Sequence, residues 1–502
     1  MHISRRDFFR LSALGLGSAA LAACGVDKQP LLDSINLPPT SAPLLLPITP
    51  TTASAQSQSQ SQSGLISTEI LGRPTDRAIT VNVIPANESK IYFEFGTESG
   101  NYTAQTTTTL ASAGAPVNVE MNHLQRNTRY YYRTRYQPAG ASEFVAGDEH
   151  TFITQRDPGS DFTFTIDADP HNRDPNYNAE LYGITLTNAL NDRPDFHINL
   201  GDTFMTEKLN INTLQGVIGT YADIRPHLGL IASDAPLFLV NGNHEGELGW
   251  FLDGSDKNLA VWCTETRHEY YPNPAPNDFY NGSTIQEQFI GIRDGYFAWT
   301  WGNALIVALD PFWYTRSKPK PQPNDNWEWT LGKDQYNWLK QTLENSNAKF
   351  KFIFIHNLVG GNNSDARGGI ESAGYYEWGG QNQDGSWGFD AHRPGWGMPI
   401  HQLLVKNKVS ALFHGHDHVF VKQDLDGIVY QECPQPSITH YNNTQLAQQY
   451  GYIHGDVVSS SGHLRVKVMP EQATVEYVRA YLPKDEKPDQ QNAQVAYTYT
   501  IA

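Results

Sequence analysis

The sequence is poor in cysteine and in positive charge, and it has no long apolar run. Its three cysteines are too few for a scaffold of disulfides. Asp and Glu number 53 against 36 Lys and Arg, which gives a formal net charge of −17. A surface of this sign repels polyanions, so we expect no nucleic-acid partner. With 39% hydrophobic and 18% charged residues over 502 positions, the composition is that of a globular protein with two or more domains.

Residues 1–24 have the pattern of an export signal. Ser4–Phe8 (SRRDF) precedes Leu11–Ala23, a short run rich in Leu, Ala and Gly. At about 1.5 Å per residue, a helix of this length is too short for a hydrocarbon layer of about 30 Å. The segment resembles a twin-arginine signal, and Leu21–Cys24 (LAAC) resembles a lipoprotein cleavage box. We expect twin-arginine export to the periplasm or cell surface, with a lipid anchor on Cys24. A plain signal peptide with a chance cysteine is the alternative.

Residues 25–155 contain two segments of different composition. Residues 25–64 are rich in Pro, Ser, Thr and Gln and lack apolar periodicity, which predicts a disordered tether behind the membrane anchor. Residues 65–155 contain alternating runs such as Ile79–Val83 and Ile91–Phe95 and show no helical period. Leu124–Tyr132 resembles the tyrosine-corner segment of fibronectin type III domains. We predict a small all-β sandwich that serves as a spacer or support, with ligand binding of its own as the alternative.

Residues 156–502 alternate between apolar runs and helix-period stretches, which predicts an α/β domain with buried strands. The runs are Phe162–Ile166, Phe196–Leu200, Pro236–Val240, Ala304–Leu309, Phe350–Ile355 and Val409–Phe413. Helical spacing marks Leu181, Ile184 and Ala189 in one stretch and Tyr336, Leu339 and Leu343 in another. Alternation returns in Leu464–Val468, which predicts antiparallel strands that close the domain.

Five of these six apolar runs are followed by residues that can bind metals. Asp169 and His171 follow the first run, Asp202 the second, Asn243 and His244 the third, His356 the fifth, and His416 and His418 the sixth. Neighbouring strands lie about 4.8 Å apart, so side chains at their ends converge on one crevice. A single histidine after a strand is more often a buried core residue. The complete ordered set predicts a site for borderline first-row metals, without thiolate ligands.

The order Asp-x-His, Gly-Asp, Gly-Asn-His-Glu, His, Gly-His-x-His resembles the calcineurin-like metallophosphoesterase superfamily, over about residues 161–479. The resemblance implies a two-sheet β-sandwich flanked by helices, with two metal ions at the strand ends. By position, Asp169, His171 and His418 would hold one ion, Asn243, His356 and His416 the other, and Asp202 would bridge them. Manganese, iron and zinc all remain open. His244 would donate a proton to the leaving group or, alternatively, only order its loop.

The N-terminal sandwich adds a resemblance to purple acid phosphatases, which also carry a fibronectin-like domain. Two positions depart from that family. In purple acid phosphatases, a tyrosine that binds ferric iron follows the bridging aspartate by three positions, where this sequence has Met205. That family also lacks the histidine that this sequence has as His171. We therefore expect a colourless protein. Cys263 and Cys433 could pair in an oxidising compartment, and the sequence does not decide whether they do.

The leading hypothesis for function is an exported phosphomonoesterase that acts on phosphorylated small molecules, with a hydroxide between the two ions as nucleophile. A phosphodiesterase or nucleotidase would use the same ligands and is the near alternative. A metal-dependent surface-binding lipoprotein is the remote alternative, and the complete ligand set with His244 argues against it.

Overall fold

The computed structural model describes residues 69–502. The predicted signal, Cys24 and the predicted tether lie outside the described residues. Among the helices of residues 69–502, none has both the length and the apolar character of a membrane span. The described residues 69–502 belong to one compact unit.

The N-terminal region is built only of strands. They are β1 (Ile70–Gly72), β2 (Ile79–Val83), β3 (Ser89–Gly96), β4 (Ala104–Gln105), β5 (Thr109–Ala111), β6 (Val117–Met121), β7 (Arg129–Pro138), β8 (Val145–Ala146) and β9 (His150–Ile153). One sheet has the order β1-β2-β6, and the other has the order β4-β3-β7-β8 with β5 on β3 and β9 on β7. Val81 of β2 packs with Phe93 of β3 and Tyr132 of β7 in one buried cluster, which confirms the predicted sandwich. The Tyr130 hydroxyl accepts a hydrogen bond from the Gln125 amide at 2.8 Å, as in a tyrosine corner.

The C-terminal region contains two larger sheets. Its strands are β10 (Phe162–Asp167), β11 (Phe196–Asn199), β12 (Leu237–Leu239), β13 (Asn281–Gly282), β14 (Gln286–Glu287), β15 (Gly291–Ile292), β16 (Phe297–Trp301), β17 (Ala304–Ala308), β18 (Phe350–Phe354), β19 (Ala411–His414), β20 (Phe420–Leu425), β21 (Ile428–Glu432), β22 (Asp456–Val458), β23 (Gly462–Val468), β24 (Ala473–Arg479) and β25 (Val495–Ile501). The orders are β12-β11-β10-β23-β24-β25 and β13-β16-β17-β18-β19-β21-β20-β22, with β14-β15 as a separate hairpin. Strands β10, β11 and β12 are parallel, as are β17, β18 and β19.

The helices connect these strands and cover the outer faces of the two sheets. They are α1 (Ala179–Asn191), α2 (Leu214–Asp223), α3 (Arg225–Ala232), α4 (Leu259–Tyr270), α5 (Lys333–Glu344), α6 (Tyr376–Gly379), α7 (Phe389–His392), α8 (Ile400–Lys406) and α9 (Gln445–Gln449). Short 3-10 turns occur at Gly249–Phe251, Asp325–Glu328 and Pro483–Asp485. Asn178 begins α1 by accepting a hydrogen bond from the Leu181 amide at 2.8 Å.

The main core lies between the two sheets and is rich in aromatic rings. Phe164 of β10 stacks on Phe196 of β11 with ring centroids 5.2 Å apart, and it meets Phe352 of β18 across the interface at 5.9 Å. Outside the six-stranded sheet, a second cluster contains residues of α1, α2 and α3. Outside the eight-stranded sheet, a third cluster contains residues of α5 and α8. The predicted architecture of two sheets flanked by helices is therefore confirmed.

Buried polar contacts join the N-terminal sandwich to the C-terminal region. The Tyr132 hydroxyl donates to the Ser233 carbonyl at 2.7 Å, and Arg225 donates to the Asn82 carbonyl at 2.8 Å. Both Tyr132 and Arg225 have no solvent exposure. Because unpaired buried polar groups are costly, these bonds oppose separation of the two parts.

The two described cysteines do not pair. Cys263 is buried in the cluster outside the six-stranded sheet, whereas Cys433 is buried between the sheets, and both are free. The possibility of a disulfide, which the sequence left open, is not realised in this structure.

Candidate metal centre

The eight candidate side chains lie in the loops that follow β10, β11, β12, β18 and β19. Five of them have a positive φ, namely Asp169 (59°), His171 (54°), Asp202 (55°), His416 (80°) and His418 (64°). Non-glycine residues rarely adopt this conformation, and such strain collects at functional sites because the surroundings must hold it in place. The loop backbones therefore aim the side chains at the common crevice.

Two of the loops need glycine because a neighbouring group comes too close for a side chain. A Cβ on Gly242 would lie 2.4 Å from the Asp202 amide nitrogen, and a Cβ on Gly415 would lie 2.5 Å from the Asp169 carboxylate. The glycines of the Gly-Asn-His and Gly-His-x-His motifs thus allow the loops to approach each other.

Asp169, His171 and His418 form the first donor cluster. Asp169 Oδ1 lies 3.7 Å from His171 Nε2 and 3.5 Å from His418 Nε2. Among the described residues, Asp169 Oδ1 and His171 Nε2 are buried and have no hydrogen-bond partner. Buried polar atoms are normally satisfied, so two such atoms facing the same point indicate a missing ligand there.

Asp202, His356 and His416 form the second cluster, and Asn243 lies beside it. His356 Nε2 is 3.1 Å from Asn243 Oδ1 and 3.2 Å from His416 Nδ1. All three nitrogen and oxygen atoms are at the buried end of the crevice.

Asp202 lies between the two clusters. Its Oδ2 atom is 3.3 Å from His171 Nε2 and 3.4 Å from His356 Nε2. Burial alone would raise the pKa of Asp202, but His244 and His356 hold it well below its usual range. The carboxylate is therefore anionic and faces both clusters, as a bridging ligand must.

Hydrogen bonds to backbone carbonyls determine which ring nitrogen of His356 and of His416 faces the crevice. His356 Nδ1 is 2.7 Å from the Leu200 carbonyl, and His416 Nε2 is 2.6 Å from the Asp365 carbonyl. A carbonyl only accepts, so each of these nitrogens carries the proton and the opposite nitrogen keeps a lone pair for a metal.

His244 is held at the edge of the crevice by Glu207, which the sequence analysis did not single out. His244 Nδ1 is 2.9 Å from Glu207 Oε2, and His244 Nε2 is 3.8 Å from Asp202 Oδ2. Burial raises the pKa of Glu207, but the hydrogen bond and the charge of His244 oppose burial, and the net effect is a lowered pKa. Lys318 adds to this lowering, with its Nζ 3.6 Å from Glu207 Oε1. The only sequence signal was an acidic residue in the same loop as Asp202.

Glu245, the last residue of the Gly-Asn-His-Glu motif, links two ligand loops. Its carboxylate accepts hydrogen bonds from the amides of Asp202 at 3.0 Å, Thr203 at 2.6 Å and Gly242 at 2.6 Å. Burial, together with the nearby Asp202 carboxylate, raises the pKa of Glu245 to about 7. Its role is to hold the loops in register.

Asp310, which ends the one apolar run without a metal-binding motif, belongs to a buried ion network instead. Arg293 bridges Asp310 and Glu247, each at 2.8 Å, and Glu247 also pairs with Arg267 at 2.5 Å. Asn241 contacts Glu247 at 3.3 Å. This network anchors the long segment after β12 to the base of the candidate site.

The donors fit the two ions that the sequence resemblance implied. Seven side chains present carboxylate, imidazole and carboxamide atoms, and the three groups of acidic and histidine donors each lie within 4.8 Å. This set suits borderline first-row ions. The structure brings all the predicted ligands and His244 together.

Comparison with known proteins identifies the family. Residues 162–420, just over half of the chain, match the model of the calcineurin-like phosphoesterases. The protein belongs to this family of metal-dependent phosphoester hydrolases, which use two metal ions, and its donor clusters could hold such ions. No curated protein sequence matches the chain.

The fold is shared with a solved structure. The structure of PhoD aligns over 86% of this chain and 89% of its own, with 15% sequence identity and a TM-score of 0.61. GAP50, described as the anchor in the inner membrane complex of Plasmodium, aligns over 68% of this chain and 88% of its own, with 13% identity and a TM-score of 0.37. The first similarity extends through the N-terminal sandwich and shows a PhoD-like fold.

Proposed function

We propose that the protein is an exported, lipid-anchored phosphomonoesterase that acts on phosphorylated small molecules. The observation that carries the proposal is the position of Asp202, whose Oδ2 atom lies 3.3 and 3.4 Å from histidine nitrogens of the two donor clusters. Asp169, His171 and His418 would hold one ion, and Asn243, His356 and His416 the other. Ions held there would polarise a phosphate and lower the pKa of a water toward about 7.

His244 is placed to act as the proton donor. Its Nδ1 atom is tied to Glu207 at 2.9 Å, so its Nε2 atom is the one that faces the crevice. With Nδ1 held by Glu207, a protonated His244 would give its Nε2 proton to the leaving alkoxide oxygen. The alternative role, ordering of the loop only, predicts no dependence on the leaving group.

Lys318 favours a monoester over a diester. A monoester has a third charged oxygen that a diester lacks, and a cation beside the site can bind it. The Lys318 side chain is 58% exposed, and its 3.6 Å contact with Glu207 is too long for a strong hydrogen bond. The ammonium group therefore keeps donors available for substrate. A phosphodiesterase or nucleotidase with the same ligands remains the alternative.

Export and anchoring are supported by the sequence pattern of residues 1–24. The twin-arginine route carries folded proteins, which suits an enzyme whose ligands come from five separate loops and which must bind its metals as it folds. The lipid would be attached to Cys24, and the following residues would connect the anchor to the folded unit.

The proposal is tested by hydrolysis of p-nitrophenyl phosphate and bis(p-nitrophenyl) phosphate in parallel. The protein is stripped with a chelator and reloaded with manganese, iron or zinc, and Asp202→Asn is the matched inactive control. We expect metal-dependent turnover of the monoester well above that of the diester. The reverse ratio would support the phosphodiesterase. No turnover of either substrate with both metals bound would support the binding lipoprotein instead.

A further inference from the structure

A second cleft lies at the opposite end of the strands from the candidate metal centre. Strand β18 runs toward His356 at the centre, and the parallel strand β17 runs toward Asp310 in the ion network at its base; the two strands begin beside Lys349 and Asn303, which line the cleft. Each strand has five residues, so the two sites are separated by roughly 17 Å at about 3.3 Å per residue. The cleft has a volume of about 750 Å³, within the range of about 300–1,000 Å³ typical of small-molecule sites.

The cleft is polar but carries no net charge. Its lining is dominated by carboxamides and one indole, from Asn281, Asn303, Trp338, Gln341, Asn345 and Asn347. Lys349 and Glu471 are its charged residues, and they form an ion pair with each other. In a protein with a net charge of −17, a neutral cleft of this size disfavours phosphorylated and other anionic ligands.

Helix α5 supplies the floor of the cleft through one uncharged face. Trp338, Gln341 and Asn345 follow the spacing of three and four residues that places side chains on the same side of a helix. Tyr336 and Leu339 of the same helix are buried in the core, and the half-buried Trp338 packs at the edge of that cluster. Exposed helix faces usually carry charges, and α5 does so at other positions, so the uncharged cleft face is a local feature.

Several of the carboxamides are available to a ligand. Within residues 69–502, the side-chain amides of Gln341, Asn345 and Asn347 make no hydrogen bond. Each can donate two hydrogen bonds and accept at its oxygen. The Trp338 indole is half-buried, and its Nε1 atom donates to Asn281 at 3.1 Å, which fixes the orientation of the ring.

We propose that this cleft binds a neutral oligosaccharide. Vicinal hydroxyl groups both donate and accept, which matches the side-chain amides, and the apolar face of a sugar ring packs on an indole. The absence of unpaired charge in the cleft selects against acidic sugars. This binding would be independent of phosphoester hydrolysis at the other end of the sheet.

The test is calorimetric titration of the full-length protein with cellotriose, chitotriose and maltotriose. We expect at least one of them to bind in the micromolar to millimolar range, and Trp338→Ala and Asn345→Ala each to weaken binding by about tenfold. Trp387→Ala, at an exposed tryptophan outside the cleft, is the matched control and should leave binding unchanged. Hydrolysis of p-nitrophenyl phosphate should be the same in all three variants, and this readout also reports correct folding.

Three results would overturn the proposal. These are absence of binding by all three trisaccharides at millimolar concentration, binding that both cleft substitutions leave intact, and tighter binding of a uronic-acid trisaccharide than of the neutral ones. Among the described residues, the Asn345 side chain makes no hydrogen bond, and its backbone N–H, which donates to the Gln341 carbonyl, is kept in alanine. Asn345→Ala should therefore fold normally even where Trp338→Ala does not.

Discussion

The Glu207 carboxylate and the His244 imidazole form a 2.9 Å hydrogen bond at the edge of the candidate metal centre. This contact leaves Nε2 of His244 directed toward the bridging position of Asp202, 3.8 Å away. Neither residue belongs to the seven predicted metal ligands, so both can be changed without removing a ligand from the site.

The first prediction concerns this pair. We expect His244→Ala to lower kcat about 10²–10⁴-fold on alkyl phosphates and much less on p-nitrophenyl phosphate, whose leaving group needs no proton. Glu207→Ala should show the same dependence on the leaving group but a smaller loss, and Glu207→Gln, which keeps an acceptor, should recover part of it. In the double variant, Glu207→Ala should add little to His244→Ala, because both act through one proton. Equal losses on both substrate classes would instead indicate that His244 only orders its loop.

The second prediction concerns Lys318 and substrate choice. We expect Lys318→Met to lower kcat/KM on p-nitrophenyl phosphate by about 10–100-fold, the value of a hydrogen bond to a charged group of about 1.5–3 kcal/mol. The bis(p-nitrophenyl) ester lacks the third charged oxygen, so its kcat/KM should change little. Lys257→Met, at an exposed lysine outside the site, is the control. A similar loss on both esters would contradict a role for Lys318 in monoester selection.

The third prediction concerns colour. Met205 occupies the position of the ferric-ligating tyrosine of purple acid phosphatases, and it is fully buried. A thioether cannot give the tyrosinate-to-iron transition, so the iron-loaded protein should lack a strong visible band. The measurement is an absorption spectrum taken alongside a metal analysis that proves iron is bound. A strong visible band would show that another tyrosine reaches the metals.

The fourth prediction concerns the membrane anchor. In the native host, the protein should partition into the membrane fraction and into detergent, whereas Cys24→Ser should release it because no lipid can be attached. Replacing Arg5 and Arg6 by lysine should block export and leave the protein in the cytoplasm. Membrane association that survives Cys24→Ser would contradict lipidation at this residue.

Much of the fold could be predicted because its central strands are buried on both faces. Runs such as Ala304–Leu309 are apolar without interruption, and the structure places β17 over Ala304–Ala308. The convergence of the ligand residues was also predictable, because the ends of parallel strands share one edge. Strand β16, with its run of FAWTW, was not predicted, although its aromatic residues recur at every second position, as in a strand.

The remaining features of the site depend on loop geometry that the sequence does not display. Glu207 reaches His244 only because the loop after β11 turns back under the loop after β12. Lys318 comes from a distant segment and meets Glu207 through the fold alone, 3.6 Å away. The attachment of the sandwich by Tyr132 and Arg225 likewise depends on three-dimensional placement, because each makes its bond to a backbone carbonyl.

The last prediction concerns the pH dependence of the sandwich attachment. His150 of β9 lies 2.9 Å from Asp234, beyond the end of α3. Burial lowers the pKa of His150, but the hydrogen bond with Asp234 and the charges of Glu69, Asp234 and Asp148 together outweigh burial and raise the value. For Asp234, burial raises the pKa, but the hydrogen bond and charge of His150, with hydrogen bonds from Thr151 and Ser233, together outweigh burial and lower the value.

The signs give the pH window in which this ion pair stabilises the protein. A histidine whose pKa is raised by folding stabilises the folded protein at pH values below its unfolded pKa of about 6.5. This stabilisation is lost as the pH rises through the folded pKa. An aspartate whose pKa is lowered by folding stabilises the folded protein at pH values above its unfolded pKa of about 3.9. This stabilisation is lost as the pH falls through the folded pKa. The pair should therefore contribute most between about pH 4 and pH 6.5, by roughly 1 kcal/mol for a partly exposed pair.

Asp234→Asn should lower Tm most at pH 5–6 and progressively less toward pH 9, as measured by thermal unfolding across this range. Asp426→Asn, at a carboxylate that is 62% exposed beside His401, is the control and should have little effect at any pH. A loss of Tm for Asp234→Asn that stays constant with pH would contradict a role for the ion pair, because asparagine keeps the oxygen that accepts from the Thr151 amide at 2.7 Å.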